Sequence, residues 1–170
     1  HWTADTPRVI RDHCVTAQVT ATDSTPATDT LTTGTWNPAL GPEPALWVPS
    51  DTRATTRAAD AVDGQPKSLA TSPLVLAPAP ELAQTLTTAG TDWAQLPTLQ
   101  TTPDALDTLG LTGWGTLHLA LPTGTDTEAT TATLEAVAAA VTGAGTGPLT
   151  VDHARSQPAV AAVTALAHGA

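Results

Sequence analysis

The chain has 170 residues, enough for one domain or two small lobes and for a real hydrophobic core. Its formal net charge of −10 and its single lysine, Lys67, argue against nucleic acid or an anionic membrane surface as a partner, since both are polyanionic. Phe, Tyr and Met are absent, so a core must be assembled from Leu, Val, Ala and five Trp; Ala buries little area, and at ~25 cal/mol per Å² that predicts a thin core.

The lone cysteine, Cys14, excludes an internal disulfide, and its expected place is a buried position on a strand, with a bond to a cysteine outside this chain as the alternative. No apolar run approaches the ~20 residues that span a bilayer, so no membrane insertion is expected. The sequence carries no signal peptide and does not begin with Met, and it reads as a processed or excised part of a longer protein.

In chain order, residues 1–13 read as a polar tail. Cys14 to Ala21 alternates, with Val15, Ala17 and Val19 on one face, which predicts a half-buried strand over 14–21. Residues 22–34 read as a loop with a frayed helical turn, and the breakers between Gly34 and Pro44 continue the loop. Ala45 to Pro49 predicts a second strand, followed by a helix over about 51–62 capped by Ser50 or Asp51. Leu74-Val75-Leu76, bounded by Pro73 and Pro78, predicts a third strand over 72–77. Pro80 suits the first position of a helix ending at Gly90, and shorter turns follow around Trp93 and Leu106.

Leu117, Leu119 and Leu121 alternate with His118 and Ala120, predicting a fourth strand over 115–121. Thr125 to Glu128 has capping-box spacing, and Leu134, Val137, Ala138 and Val141 form one stripe of a helix over 126–142 closed by Gly143. Leu149 to Val151 reads as a short strand, and a last helix over 158–168 presents Val160, Val163 and Leu166 before Gly169. Strands alternating with helices predict an α/β fold with a mainly parallel sheet.

The chemistry-bearing residues give no catalytic or metal signature. His13, His118 and His153 lack metal-ligand spacing, and Gly-x-Ser-x-Gly, Gly-x-Gly-x-x-Gly and P-loop patterns are absent. The chain is therefore expected to be neither an enzyme nor a cofactor protein. What remains is collective: Ser50, Thr71, Ser72, Thr123 and Thr125 all fall at predicted strand ends, where open α/β sheets bind ligands. Hydroxyls and free N–H groups there suit an oxyanion or a sugar hydroxyl. Asp51 opposes a bare anion and suits a polyol, a cation or plain capping; Trp47 suits stacking on a ligand or burial in the core. The ligand-binding candidates are thus Trp47, Ser50, Asp51, Thr71, Ser72 and Thr123.

Ala45-Leu-Trp-Val-Pro-Ser-Asp51, Ser68-Leu-Ala-Thr-Ser-Pro-Leu-Val-Leu76, Asp92-Trp93-Ala94-Gln95-Leu96, and Trp114-Gly115-Thr116-Leu117 followed by Leu119 to Pro122 occur in a recognisable order. Over residues 14–170 the chain resembles the solute-binding domain that precedes von Willebrand factor A domains in actinobacterial envelope proteins, similar in outline to type II periplasmic binding proteins. That resemblance implies two α/β lobes, 14–77 and 78–170, both incomplete at the chain ends, with a ligand cleft between them. It further implies non-catalytic capture of a small solute or oxyanion, an extracellular or cell-envelope location, and a following von Willebrand factor A domain as partner. An adhesion or scaffold domain that keeps the fold without a working pocket is the alternative.

Overall fold

The computed structural model describes residues 8–124, 127–145 and 149–168. Among them are two short strands, β1 (Arg8–Ile10) and β2 (His13–Val15), and seven helices. The helices are α1 (Ser24–Thr32), α2 (Thr52–Arg57), α3 (Pro80–Thr88), α4 (Leu96–Thr101), α5 (Glu128–Thr142), α6 (Val151–Arg155) and α7 (Gln157–His168). Three 3-10 turns accompany them at Pro38–Leu40, Ala59–Ala61 and Ala105–Leu109. The chain divides into two compact units, His1–Thr71 and Ser72–Ala170.

This corrects the α/β, type II periplasmic binding protein-like expectation. The described residues are mostly helical, and their one sheet is the antiparallel pair β1–β2, with Val9 opposite Cys14. The stretches 45–49, 72–77 and 115–121 are irregular and carry no ladder, and the strand expected over 14–21 ends at Val15. Residues 149–151, read as a strand, lead instead into α6, and the 22–34 loop contains α1. Cys14 is exposed on its hairpin instead of buried. The physical reason is that a strand exists only with a partner, whereas alternating apolar residues also suit a segment laid over helices. Leu117 is 5% exposed, with Leu119 and Leu121 packed on the same core, while His118 and Ala120 face outward. The alternation is therefore satisfied by one-sided burial. Single backbone bonds anchor the segment, from the Leu117 N–H to the Leu99 carbonyl at 3.0 Å and from the Leu106 N–H to the Gly115 carbonyl at 3.0 Å.

In the first unit the buried apolar residues are Ala27, Ala54 and Ala58, where α1 meets α2 and the turn after it. Four threonines of α1 and its C-cap satisfy themselves by donating to carbonyls three or four residues back, such as Thr28 to Ser24 at 2.6 Å and Thr30 to Pro26 at 2.8 Å. An exposed ion pair joins Arg57 to Asp29 at 2.6 Å, worth at most about 1 kcal/mol at that exposure.

The second unit holds the leucine core: Leu82 and Leu86 of α3, Leu96 and Leu99 of α4, then Leu106, Leu111, Leu117, Val137 and Leu166. Helix α7 packs on both α5 and α4. Leu96, Val137 and Leu166 are essentially inaccessible. Gln100 of α4 is buried as well; its Nε2 donates to the Leu166 carbonyl at 3.0 Å, a carbonyl in the last turn of α7, where intrahelical donors run out. Its Oε1 has no hydrogen-bond partner among the described residues. The expected capping box begins at Thr125 and Asp126, which lie outside the described residues; α5 starts at Glu128 and ends on Gly143 at φ +66°.

Candidate functional site

The six sequence candidates are divided between the two compact units. Trp47, half-buried, and the exposed Ser50 and Thr71 belong to the first unit, together with Asp51; the exposed Ser72 and Thr123 belong to the second. Without strands behind them, these hydroxyls have no shared sheet edge to open from. Thr125, grouped with them in the sequence, lies outside the described residues.

Asp51 has a defined structural role. Its Oδ1 accepts the Ala54 N–H at 2.9 Å, capping α2, while Oδ2 accepts from the Arg53 guanidinium, with Nε at 2.8 Å. Partial burial works to raise the carboxyl pKa, but the hydrogen bonds from Arg53 and Ala54 and the Arg53 charge outweigh it and hold the group below its ordinary value. A depressed folded-state pKa stabilises the unit above the unfolded pKa and is lost as pH falls through the folded one. Asp51→Ala should therefore cost about 1 kcal/mol at neutral pH, with a difference from wild type that shrinks on acidification. Urea unfolding followed by circular dichroism at several pH values checks this. Ser50 supports the same corner, its N–H donating to Ser24 Oγ at 3.0 Å.

The cleft with mixed chemistry lies in the second unit. Leu86, the first turn residue Ala83, and Thr87 come from α3; Thr91, Asp92 and Trp93 come from the turn after it; Leu96 opens α4; and Leu76 and Pro78 come from the segment before α3. The volume is about 250 Å³.

Local chemistry builds this cleft. Pro80 stands at the first turn of α3, where its missing N–H is not needed. Gly90 closes α3 in the left-handed region at φ +64°, its N–H donating to Thr87 and the Thr91 N–H donating to Leu86, both near 3.0 Å. That paired closure reverses the chain and brings Thr91 and Asp92 back over α3. Asp92 and Gln95 then cap each other: the Gln95 N–H donates to Asp92 Oδ1 at 3.2 Å, and the Asp92 N–H to Gln95 Oε1 at 2.8 Å. Trp93, held between these caps, packs against the leucine core. The lining therefore combines apolar walls from Leu76, Leu86 and Leu96 with two hydroxyls and one carboxylate.

Thr87, Thr91 and Asp92 are not among the residues that the sequence singles out as ligand-binding candidates. The legible signal was Gly90 at the helix stop followed by the Asp92-to-Gln95 capping spacing. That Leu76 and Pro78 would form the opposite wall had no local signal. A second, more apolar groove of about 260 Å³ runs along α5 and α7, lined by Leu134, Ala138, Val160 and Val163 with Leu149 and Ala154 nearby. The imidazoles of His118 and His153 lie near the hydroxyls of Thr116 and Thr150, at 3.2 and 3.1 Å. Among the described residues no three His, Cys, Asp or Glu side chains form a metal-binding group, and no helix is long and apolar enough to cross a membrane.

No known protein family matches the chain, and no solved structure matches it. Two uncharacterized proteins, from two strains of Mycobacterium tuberculosis, are each 40% identical to it over 140 residues. That stretch is 80% of this chain and 20% of each relative, so the chain spans about a fifth of the length of the curated relatives it matches.

Proposed function

We propose that the chain is a non-catalytic solute-binding module of a secreted or membrane-anchored envelope protein, with its ligand in the Trp93 cleft. The observation that carries this is the cleft itself, where a tryptophan seated on the core and a carboxylate fixed by reciprocal capping face apolar walls. Such a combination of a mostly apolar surface with a few placed polar groups is the usual make-up of a small-molecule site. The envelope setting, and a von Willebrand factor A domain as partner in the same polypeptide, come from the resemblance in the sequence motifs; the actinobacterial source of the two relatives is in keeping with it. The resemblance contributes the setting and not the fold.

The test fills the cleft. Ala83→Leu adds bulk from α3 into the space and should weaken every cleft ligand about tenfold, roughly 1.4 kcal/mol. Ser50→Ala, Ser72→Ala and Thr123→Ala should leave the same affinities unchanged. Ligand-observed NMR over a set of small solutes, followed by calorimetry on each variant, reads both. Ligands that respond to the three hydroxyl variants and not to Ala83→Leu would overturn the assignment. The adhesion or scaffold alternative draws on the open groove along α5 and α7, in whose lining Val160 is exposed. It predicts that no small solute binds at the cleft.

A further inference from the structure

We propose that the Trp93 cleft selects small organic cations with an apolar body, the ammonium group sitting between the Asp92 carboxylate and the Trp93 ring. This rests on the reading of the cleft as the ligand site and adds the class of ligand. Three observations converge. Among the described residues, Asp92 is the only formally charged one lining the cleft, and no Lys or Arg lines it to neutralise a bound anion. A carboxylate offers about four acceptor positions, and the Gln95 N–H, at 3.2 Å, uses one, so acceptor capacity remains for a ligand donor. Trp93, next to Asp92 in the chain, packs against the leucine core while lining the same cleft, which anchors an aromatic residue in that lining.

The remaining lining agrees. Thr87 Oγ1 donates its proton to the Ala83 carbonyl at 2.8 Å, so toward a ligand its oxygen is an acceptor. Leu76, Leu86, Leu96 and Pro78 supply the wall for an alkyl or ring portion of the ligand. A net charge of −10 over the whole chain adds a long-range field that favours cations and disfavours anions, screened beyond about 8 Å at physiological salt. A bare oxyanion would meet a fixed carboxylate with no compensating cation. The acceptors in this cleft thus match an ammonium ligand, and its walls match an apolar one.

Hexylammonium, hexanol and hexanoate share a six-carbon skeleton with different head groups and form the probe set, titrated by calorimetry at 0.15 M salt. Hexylammonium should bind about fivefold tighter than hexanol, with hexanoate weakest, as expected for one partly exposed charge pair plus a cation–π contact. Asp92→Asn keeps a competent cap and should bring hexylammonium down to the level of hexanol while leaving hexanol unchanged. Trp93→Leu should weaken hexylammonium more than hexanol. Equal affinities for hexylammonium and hexanol, with Asp92→Asn silent but Ala83→Leu effective, would overturn the cation assignment and leave the cleft as a ligand site. Hexylammonium binding that ignores both Asp92→Asn and Ala83→Leu would overturn it by placing the cation elsewhere. Binding by none of the three probes would overturn the cation assignment and the cleft together.

Discussion

Leu166→Ala should cost the second unit about 2–5 kcal/mol and lower its Tm by roughly 10–20 °C. Leu166 is 0% exposed and sits in the leucine cluster where α7 meets α4 and α5. Truncation removes the transfer free energy of its buried carbons and leaves a cavity that three packed helices can close only in part. A domain of this size is stable by about 5–15 kcal/mol in all, so the loss is a large fraction. Val160→Ala on the same helix is the control: Val160 is 52% exposed, and its loss should stay near 0.5 kcal/mol. Chemical denaturation of both variants, monitored by circular dichroism, gives the comparison. Equal losses for the two would mean that α7 does not pack on this core.

Gln100→Glu should destabilise the same unit by about 3 kcal/mol at neutral pH, while Gln100→Leu should stay within roughly 1.5 kcal/mol of wild type. The amide is 5% exposed, and its Nε2 donates to the Leu166 carbonyl at 3.0 Å. An ionised glutamate there has no proton to donate, confronts that carbonyl with negative charge, and is buried without a cation. Burial raises the pKa of the introduced carboxyl above its unfolded value, so protonation is coupled to folding. The penalty is absent below the unfolded pKa, grows with pH between the two pKa values, and is constant above the folded one. Gln100→Leu gives up one hydrogen bond but also removes the Oε1 acceptor that lacks a partner among the described residues, and the two changes offset each other. Urea midpoints measured across the acidic range for both variants check the sign and the pH window.

The cleft and the leucine core are built by the same residues, which couples binding to stability in a way that the hydroxyl candidates Ser50, Thr71, Ser72 and Thr123 would not. Leu86 and Leu96 are buried core members and also line the cleft. Substitution of either would change affinity and stability together. Asp92, Thr87 and Ala83 line the cleft without belonging to that cluster, so changes there separate ligand recognition from folding.

The helices were legible because their bonds are local. Pro80 and Gly90 bracket α3, the 3.6-residue stripe through Leu134, Val137 and Val141 marks α5 with Gly143 as its stop, and Val163 and Leu166 mark α7. Each signal acts within one or two turns, so the chain needs no distant partner to express it. Asp51 as a helix cap was legible for the same reason. The four predicted strands were not decidable this way, since an apolar alternation records only which side of a segment is buried and not what covers it. For Leu117, Leu119 and Leu121 the cover is a helical core, and for Val75 and Leu69 it is solvent, at 68% and 75% exposure. The binding candidates inherited that ambiguity, because Ser50, Ser72 and Thr123 were tied to strand ends, and a strand's ladder is a long-range contact that a neighbouring residue cannot specify. Packing decided instead that Leu76 and Pro78 come to the far wall of the cleft beside α3, and that Thr91, Asp92 and Trp93 form its polar side.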